Sequence, residues 1–218
     1  MNKSIFIHIP KCAGCSLWEA FCKSEHCKHS EPRGPNSKLS FQCKFGSSTL
    51  EYFGHGAGRM SKPFPYHDIY KDSFSFTFVR NPFDRLVSSF FFLKSGGHNP
   101  YNQELYNKYM RTRSGTFKDF IIHKFNQKSI DNVIHLKPQH FWIYKENNLR
   151  VDFVGKTETI NSDVNLLCEK LGVNLLDMST TNASEHKHYT EYYDDETREI
   201  VAQKYAKDIE YFGYKFGY

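Results

Sequence analysis

Apolar residues along the chain form two patterns, short β-branched and aromatic runs and longer segments in which they recur every three or four positions. The short runs predict strands. They extend from Ser4 to Ile9, Thr49 to Phe53, Ser73 to Val79 and Val151 to Val154, where Gly155 ends the last. Two stretches are expected to be rich in loops, Ser24 to Ser48 and Gly96 to Arg113, and in the first of them Pro, Gly and several Lys indicate this.

Segments with helical spacing alternate with these strands. They extend from Ser16 to Lys23, Phe83 to Lys94, Thr116 to Phe125, Pro138 to Tyr144, Asn161 to Leu171 and Asp194 to Phe212, and the last is predicted to be the longest. Pro82 is tolerated in a first helical turn, while Gly172 and Gly213 end the last two helices. This alternation predicts an α/β fold with a central, mostly parallel sheet flanked by helices.

The length of 218 residues suits one domain over residues 1–218, because such a chain buries roughly 70% of its unfolded surface. Its 20 Phe and 14 Tyr add core area to a modest hydrophobic fraction of 39%. A net charge of +5 suits a protein that binds anions but decides little alone. His8 and Pro10 break the N-terminal apolar run, so we expect a soluble protein without signal peptide or membrane anchor.

The chain has six cysteines, and five lie in its first 43 residues. They are Cys12, Cys15, Cys22, Cys27, Cys43 and Cys168. Because no secretory signal accompanies them, we expect reduced thiols in a cytoplasmic compartment.

The loop Pro10-Lys-Cys-Ala-Gly-Cys-Ser16 joins the first predicted strand to the first predicted helix. Such a loop aims backbone N–H groups and the positive helix end at one place, which favours a phosphate. Gly14 has no Cβ to obstruct an anion, Lys11 adds a charge and Ser16 adds a hydroxyl donor. The G-x-x-x-x-G-K-[ST] motif is absent, which favours a cosubstrate served by protein cations rather than magnesium. For this loop alone, an ordinary glycine turn with a solvated lysine is the alternative.

A second strand-to-helix junction lies in Phe76-Thr-Phe-Val-Arg-Asn-Pro-Phe-Asp-Arg-Leu-Val-Ser-Ser89. Arg80 at the strand end can bind a phosphate in a bidentate fork, and Ser88 in the helix can add a donor. Two anion sites at adjacent strand ends imply a ligand with two separated phosphate groups. A structural salt bridge explains Arg85 at least as well as ligand contact.

Together the two motifs resemble the sulfotransferases that use 3′-phosphoadenosine 5′-phosphosulfate (PAPS). Ile7-His-Ile-Pro-Lys-Cys-Ala-Gly-Cys-Ser-Leu17 is similar to their 5′-phosphosulfate loop, and Val79-Arg-Asn-Pro-Phe-Asp-Arg-Leu-Val-Ser-Ser89 to their 3′-phosphate motif. Within that family the chain is most similar to the carbohydrate branch, which includes the heparan sulfate 2-O- and chondroitin sulfotransferases. Val151-Asp-Phe-Val-Gly-Lys-Thr-Glu158 resembles a late strand and loop of the same branch.

The resemblance implies a P-loop-like three-layer fold and a PAPS site, with no metal required. The implied cosubstrate-binding residues are Lys11, Cys12, Ala13, Gly14, Cys15, Ser16 and Leu17 for the phosphosulfate and Arg80 and Ser88 for the 3′-phosphate. The family commonly has Thr where this chain has Cys12 and Cys15. Backbone donation survives that change, but a hydroxyl contact at Cys15 does not.

Sulfuryl transfer requires the acceptor hydroxyl to lose a proton, and a neutral histidine near pH 7 is suited to take it. His55 lies in Tyr52-Phe-Gly-His-Gly-Ala57, where the flanking glycines leave room for a substrate. The segment also resembles the histidine motif of the heparan sulfate 2-O-sulfotransferases. We predict that His55 is the base and that Lys11 stabilises charge on the bridging oxygen during in-line transfer. A turn-capping role is the alternative for His55 and the preferred role for His8 and His140.

Other classes of protein fit fewer of these residues. Cys12-Ala-Gly-Cys15 is also the spacing of a thiol-redox pair, but that class leaves Lys11 and Arg80 unexplained. A zinc site built from Cys12, Cys15, Cys22, Cys27 and His29 would draw the first two out of the anion loop. A noncatalytic nucleotide- or glycan-binding module keeps the anion sites without the chemistry, and a nucleotide kinase lacks its G-K-[ST] motif.

The expected acceptor is a hydroxyl group, on a glycan or glycolipid, and no nucleic-acid partner is expected. Tyr66, Tyr101, Tyr106 and Trp142 can stack on a sugar, although core packing explains most of them better. Animal members of the family are commonly anchored in the Golgi. Because no membrane anchor is expected in this sequence, we expect either a cytoplasmic bacterial or viral protein or a trimmed lumenal domain of a Golgi-anchored protein.

Overall fold

The computed structural model describes residues 3–23, 40–45, 48–53, 72–173 and 187–217. The strands are β1 (Lys3–Ile7), β2 (Ser40–Phe45), β3 (Ser48–Phe53), β4 (Phe74–Val79), β5 (Tyr144–Lys145), β6 (Asn148–Leu149) and β7 (Phe153–Lys156). The helices are α1 (Gly14–Lys23), α2 (Pro82–Lys94), α3 (Pro100–Leu105), α4 (Phe117–Phe120), α5 (His140–Ile143), α6 (Ile160–Leu171), α7 (Asp195–Lys204) and α8 (Ala206–Phe212). Among the described helices, none is both long and apolar enough to cross a membrane.

Five strands form one sheet, in the order β2-β3-β1-β4-β7. β1 pairs in parallel with β3 and with β4, and β4 pairs in parallel with β7. Only the pairing of β2 with β3 is antiparallel among these five strands. The predicted α/β class with a mostly parallel sheet is therefore confirmed. The carboxyl ends of β1, β4 and β7 lie at the same edge of this sheet.

The chain divides into two compact units, each built from two stretches of sequence. The first unit comprises Met1–Val79 and Phe141–Asn182, and the second comprises Arg80–His140 and Ala183–Tyr218. The single domain expected from the chain length remains a prediction.

The core of the first unit packs α1 and α6 against aromatic strand residues. Its buried members are Phe6, Leu17, Trp18, Phe21, Phe74, Phe76, Phe78, Val164, Leu167 and Cys168. The rings of Phe6 and Phe76, which are register partners in β1 and β4, stack with centroids 5.1 Å apart. Because side chains alternate along a strand, Phe74, Phe76 and Phe78 all point to this face. Ile5 and Ile7 on the opposite face are also buried, as expected for the centre of a parallel sheet.

The core of the second unit is built around α2, the longest described helix. Its buried members include Phe83, Leu86, Val87, Phe90, Leu93, Tyr106, Phe117, Phe120, Phe125, Val201 and Tyr205. Asn81 caps α2, since its side chain accepts a hydrogen bond from the Phe83 N–H, and Pro82 occupies the first turn. The Asn81 amide also donates to the Lys215 carbonyl at 2.8 Å. One residue therefore begins the helix and ties down the C-terminal segment.

Two predicted loop stretches contain regular structure. β2 lies within the stretch from Ser24 to Ser48, and its sequence Ser-Phe-Gln-Cys-Lys-Phe alternates polar and apolar residues as a half-buried strand does. α3 and a π-helical turn, Tyr106–Met110, lie within the stretch from Gly96 to Arg113. Asn99 caps α3 through the Asn102 N–H, and Pro100 begins the helix. These elements were not predicted in the two loop-rich stretches.

The boundaries of two further elements differ from the prediction. The last helix is not continuous, because it breaks at Tyr205 into α7 and α8. The Tyr205 ring is buried and its hydroxyl donates to the Leu136 carbonyl at 2.8 Å. Burial raises the pKa of Tyr205, which keeps this donor protonated. β7 extends through Gly155, where an added Cβ would lie 2.4 Å from the Phe78 ring.

Substituting Asn81→Ala removes the helix cap and the bond to Lys215, so the free energy of unfolding should fall by roughly 1–3 kcal/mol. Asn81→Ser keeps a cap acceptor and loses the amide donor to Lys215 and Tyr189, so it should cost less. Urea unfolding followed by circular dichroism measures both variants. Equal losses would contradict a contribution from the cap.

Candidate active site

The loop that follows β1 turns the chain directly into α1. His8 and Ile9 continue from the strand into the interior, with 4% and 1% of their surface exposed. The Cys12 N–H donates to the Ile9 carbonyl at 3.3 Å, and the Leu17 N–H makes the first helical bond to the Ala13 carbonyl at 3.0 Å. The first amides of α1 therefore point out of the helix end toward the loop.

Two residues of this loop have left-handed backbone conformations. Lys11 has φ 67° and Ala13 has φ 56°, while Cys12 between them has a negative φ. L-residues with side chains rarely adopt this conformation, which costs on the order of 1–3 kcal/mol at each position. Left-handed residues that alternate with ordinary ones turn successive backbone N–H groups toward one side and form an anion-binding concavity. The strain is therefore located where the sequence predicts the phosphosulfate.

The structure shows a packing reason for glycine at position 14. Its φ is not positive, so backbone freedom is not what calls for glycine here. A Cβ at Gly14 would lie 2.0 Å from Cδ2 and 2.3 Å from Nε2 of His8. The His8 ring also stacks on Phe6 with centroids 6.0 Å apart. His8 thus packs against the loop at Gly14 from the buried side.

The remaining loop residues divide by exposure. Lys11, Ala13, Cys15 and Ser16 are partly exposed, whereas Cys12 and Leu17 have 1% and 0% of their surface exposed. The Cys12 thiol donates to the Pro10 carbonyl at 3.7 Å. Cys12 and Leu17 can therefore offer an anion only their backbone groups.

Arg80 directly follows β4 and is fixed at its guanidinium. Its Nε donates to Oδ2 of Asp84 at 2.8 Å, and both side chains are 22% exposed. Asp84 and Ser88 lie four residues apart on the same face of α2, and Ser88 is 2% exposed. A guanidinium has five N–H donors, so an ion pair through Nε is compatible with a fork that grips a phosphate.

A glutamine that sequence analysis did not single out fixes the backbone of Arg80. The Arg80 N–H donates to Oε1 of Gln139 and the Arg80 carbonyl accepts from Nε2 of Gln139, both at 2.8 Å. No motif marks Gln139, because its partner lies 59 residues away in the chain.

Arg85 has a structural role. Its Nη1 donates to the Lys137 carbonyl at 2.9 Å, and only 1% of the residue is exposed. The neighbouring Ser89 donates to the His135 carbonyl at 3.1 Å. One partner of Arg85 is thus a backbone carbonyl within the buried core.

The segment Val151 to Glu158 contains β7, beside β4. The Thr157 N–H donates to the Val79 carbonyl at 2.9 Å. The Lys156 N–H donates to the Asp163 carboxylate at 2.7 Å, which ties the strand end to α6.

Several predicted residues lie outside the described part of the chain. His55 is among them, since β3 ends at Phe53. The others are Tyr66, Cys27, His29 and the side chains of Cys22 and Cys43. Within the described residues, no group of three or more His, Cys, Asp and Glu side chains is arranged to hold a metal ion.

The aromatic candidates for sugar stacking also separate by exposure. Tyr106 and Trp142 are buried in the core, whereas Tyr101 is 48% exposed. Of the three, only Tyr101 presents a large ring surface.

Residues 2–215 match the family model described as the Sulfotransferase family. The chain belongs to this family. It is therefore an enzyme of the sulfuryl-transferring class. The mouse sulfotransferase SULT7A1, solved in a complex with PAP, is similar at 14% sequence identity and a TM-score of 0.46, covering 96% of this chain and 85% of that one. A search of curated proteins finds no match.

Gly14→Ala should lower the free energy of unfolding of this sulfotransferase by roughly 1–3 kcal/mol, the usual cost of overpacking. Adding His8→Ala should recover part of that loss, because the ring that the new Cβ meets is then gone. Urea unfolding of the two single variants and the double variant measures the coupling. Simple additivity of the two losses would show that His8 is not the reason for glycine.

Proposed function

We propose that this sulfotransferase moves the sulfuryl group of PAPS to a hydroxyl group of a carbohydrate. The observation that carries the proposal is the pair of left-handed residues, Lys11 and Ala13, in the loop between β1 and α1. This strained backbone lies in the segment that resembles the phosphosulfate loop of the family. Strain of this kind persists at binding sites, where packing on both sides holds it in place.

The loop supplies positive charge at three levels. The alternating left-handed residues favour a concavity of backbone N–H groups, the ten-residue helix α1 adds the positive end of its dipole, and Lys11 adds a full charge. Ser16 in the first turn adds a hydroxyl donor. These groups suit the 5′-phosphosulfate, whose bridging oxygen gains negative charge as the sulfur–oxygen bond breaks. Lys11 is the residue that stabilises this charge.

The second motif suits the 3′-phosphate. Arg80 is partly exposed and its guanidinium is oriented by Asp84. Ser88 lies on the same helix face as Asp84. Arginine is the side chain best matched to two phosphate oxygens at once, which supports its assignment to this group.

His55 completes the proposed mechanism. Its side chain takes the proton of the acceptor hydroxyl while that oxygen attacks sulfur, and the sulfur–oxygen bond to the phosphate breaks on the opposite side. The products are a sulfated acceptor and 3′-phosphoadenosine 5′-phosphate (PAP). The similarity of the motifs to the carbohydrate branch is the support for a glycan or glycolipid acceptor.

Lys11→Ala should lower the rate of sulfuryl transfer on the order of a hundredfold to a thousandfold, because one preorganised charge at the bridging oxygen is lost. Transfer from radiolabelled PAPS to a panel of glycans and glycolipids measures it. Lys145→Ala removes an exposed lysine of β5 and serves as the matched control. Equal rates for the two variants would exclude Lys11 from the mechanism.

His55→Ala should lower turnover on the order of a hundredfold or more while PAP binding is kept, because the acceptor loses its base but the cosubstrate loses no contact. Single-turnover transfer and PAP titration separate the two effects. His123→Ala, at an exposed histidine, is the control. Near-normal turnover of His55→Ala would remove this residue from the mechanism.

A further inference from the structure

The side chain of Gln139 makes the two hydrogen bonds to the Arg80 backbone that a neighbouring strand would otherwise make. Its amide accepts from the Arg80 N–H and donates to the Arg80 carbonyl, each at 2.8 Å. Arg80 lies between the last residue of β4 and the cap of α2, where one regular hydrogen-bond pattern stops before the next begins. An amide side chain offers the same donor and acceptor as a peptide group, so it can fix the backbone there.

Gln139 is itself held from the C-terminal helix α8. Asp208 has 0% of its surface exposed, and its carboxylate accepts from the Gln139 N–H at 2.6 Å and from the His140 N–H at 2.8 Å. Nδ1 of His140 lies 2.6 Å from the same carboxylate. A buried carboxylate needs such partners, and bonds to an ionised acceptor are the strong ones. Asp208 thus fixes the segment from which Gln139 reaches Arg80.

The backbone that precedes Gln139 is also held by side chains, which donate to its carbonyl groups. The carbonyl groups of His135, Leu136 and Lys137 accept from side chains of Ser89, Tyr205 and Arg85. We name residues 135–139 the carbonyl strap. Four successive attachments, the last to Asp208, leave Gln139 little freedom to move away from Arg80.

The two hydrogen bonds between Gln139 and the Arg80 backbone indicate a role beyond core packing. Gln139 is fully buried, and burying an amide costs free energy unless each polar atom is bonded. Both of its polar atoms bond to Arg80, whose own side chain remains 22% exposed. Asp84 fixes the guanidinium of the same residue. Backbone and head group are therefore constrained independently, which is how a binding site is preorganised.

We propose that Gln139 is a positioning residue for the 3′-phosphate of PAPS, acting through the backbone of Arg80. This inference rests on the proposed function, in which Arg80 binds that phosphate. Gln139 does not touch the cosubstrate. It fixes the orientation of the Arg80 backbone and hence of the Arg80 side chain. Loss of Gln139 therefore displaces the guanidinium but leaves its charge present.

The test compares two ligands that differ in the 3′-phosphate. Isothermal titration with PAP and with adenosine 5′-monophosphate gives the preference for PAP in wild type, Gln139→Ala and Arg80→Ala. We expect Gln139→Ala to weaken PAP binding roughly tenfold, about the effect of losing one hydrogen bond to a charged group. Binding of adenosine 5′-monophosphate should change less than about twofold, because that ligand has no group for Arg80. In the Arg80→Ala background, removing Gln139 should have no further effect on the preference.

Two controls separate positioning from stability. Thr197→Val removes the capping-box bonds between Thr197 and Asp194 at the start of α7 and leaves the carbonyl strap, Gln139 and Arg80 unchanged, so it should lower stability and keep the preference for PAP. Gln139→Met retains similar side-chain volume without polar atoms and replaces Gln139→Ala if the smaller side chain prevents folding.

Different outcomes would contradict the positioning role of Gln139 and the proposed function. Three results would overturn the positioning role alone. Gln139→Ala could weaken the binding of both ligands equally, or the preference for PAP could stay unchanged in Gln139→Ala and Gln139→Met. The third result is that removing Gln139 lowers the preference for PAP as much in the Arg80→Ala background as in wild type. A wild-type protein that binds PAP no tighter than adenosine 5′-monophosphate overturns the proposed function and this inference with it.

Discussion

The loop between β1 and α1 is strained because packing fixes both elements that it joins. β1 lies at the centre of the sheet with both faces buried, and Leu17 and Phe21 hold α1 against that sheet. The short connection absorbs the change of direction in the left-handed residues Lys11 and Ala13. The same constraint turns the loop amides toward one side, so the core packing stabilises a conformation that suits an anion.

Arg80 is held by a different means. Its backbone is not strained, and side chains fix it instead, with Gln139 at the peptide groups and Asp84 at the guanidinium. Both motifs thus have a cationic residue whose backbone is held by the fold itself. Ordering a residue before binding removes an entropic cost from the binding of its ligand.

The errors of the sequence analysis had two causes. The Asn99-Pro100 start of α3 and the alternation in β2 were local patterns, and closer attention to capping and period would have found both. The break at Tyr205 was of another kind. No Gly or Pro marks it, and the hydroxyl of Tyr205 bonds to Leu136, 69 residues earlier in the chain. A distant partner of this kind has no trace in helical periodicity.

By itself, the sequence determined the α/β class, the order of strands and helices around both motifs, and the family, because each depends on residue types at short spacing. It also named Lys11 and Arg80 by charge and position. Only the tertiary structure decided why residue 14 is glycine, that Arg85 holds a carbonyl, and that Gln139 clamps Arg80. Each of those roles depends on a contact between residues that folding brings together. The spacing of residue types along the chain does not encode such contacts.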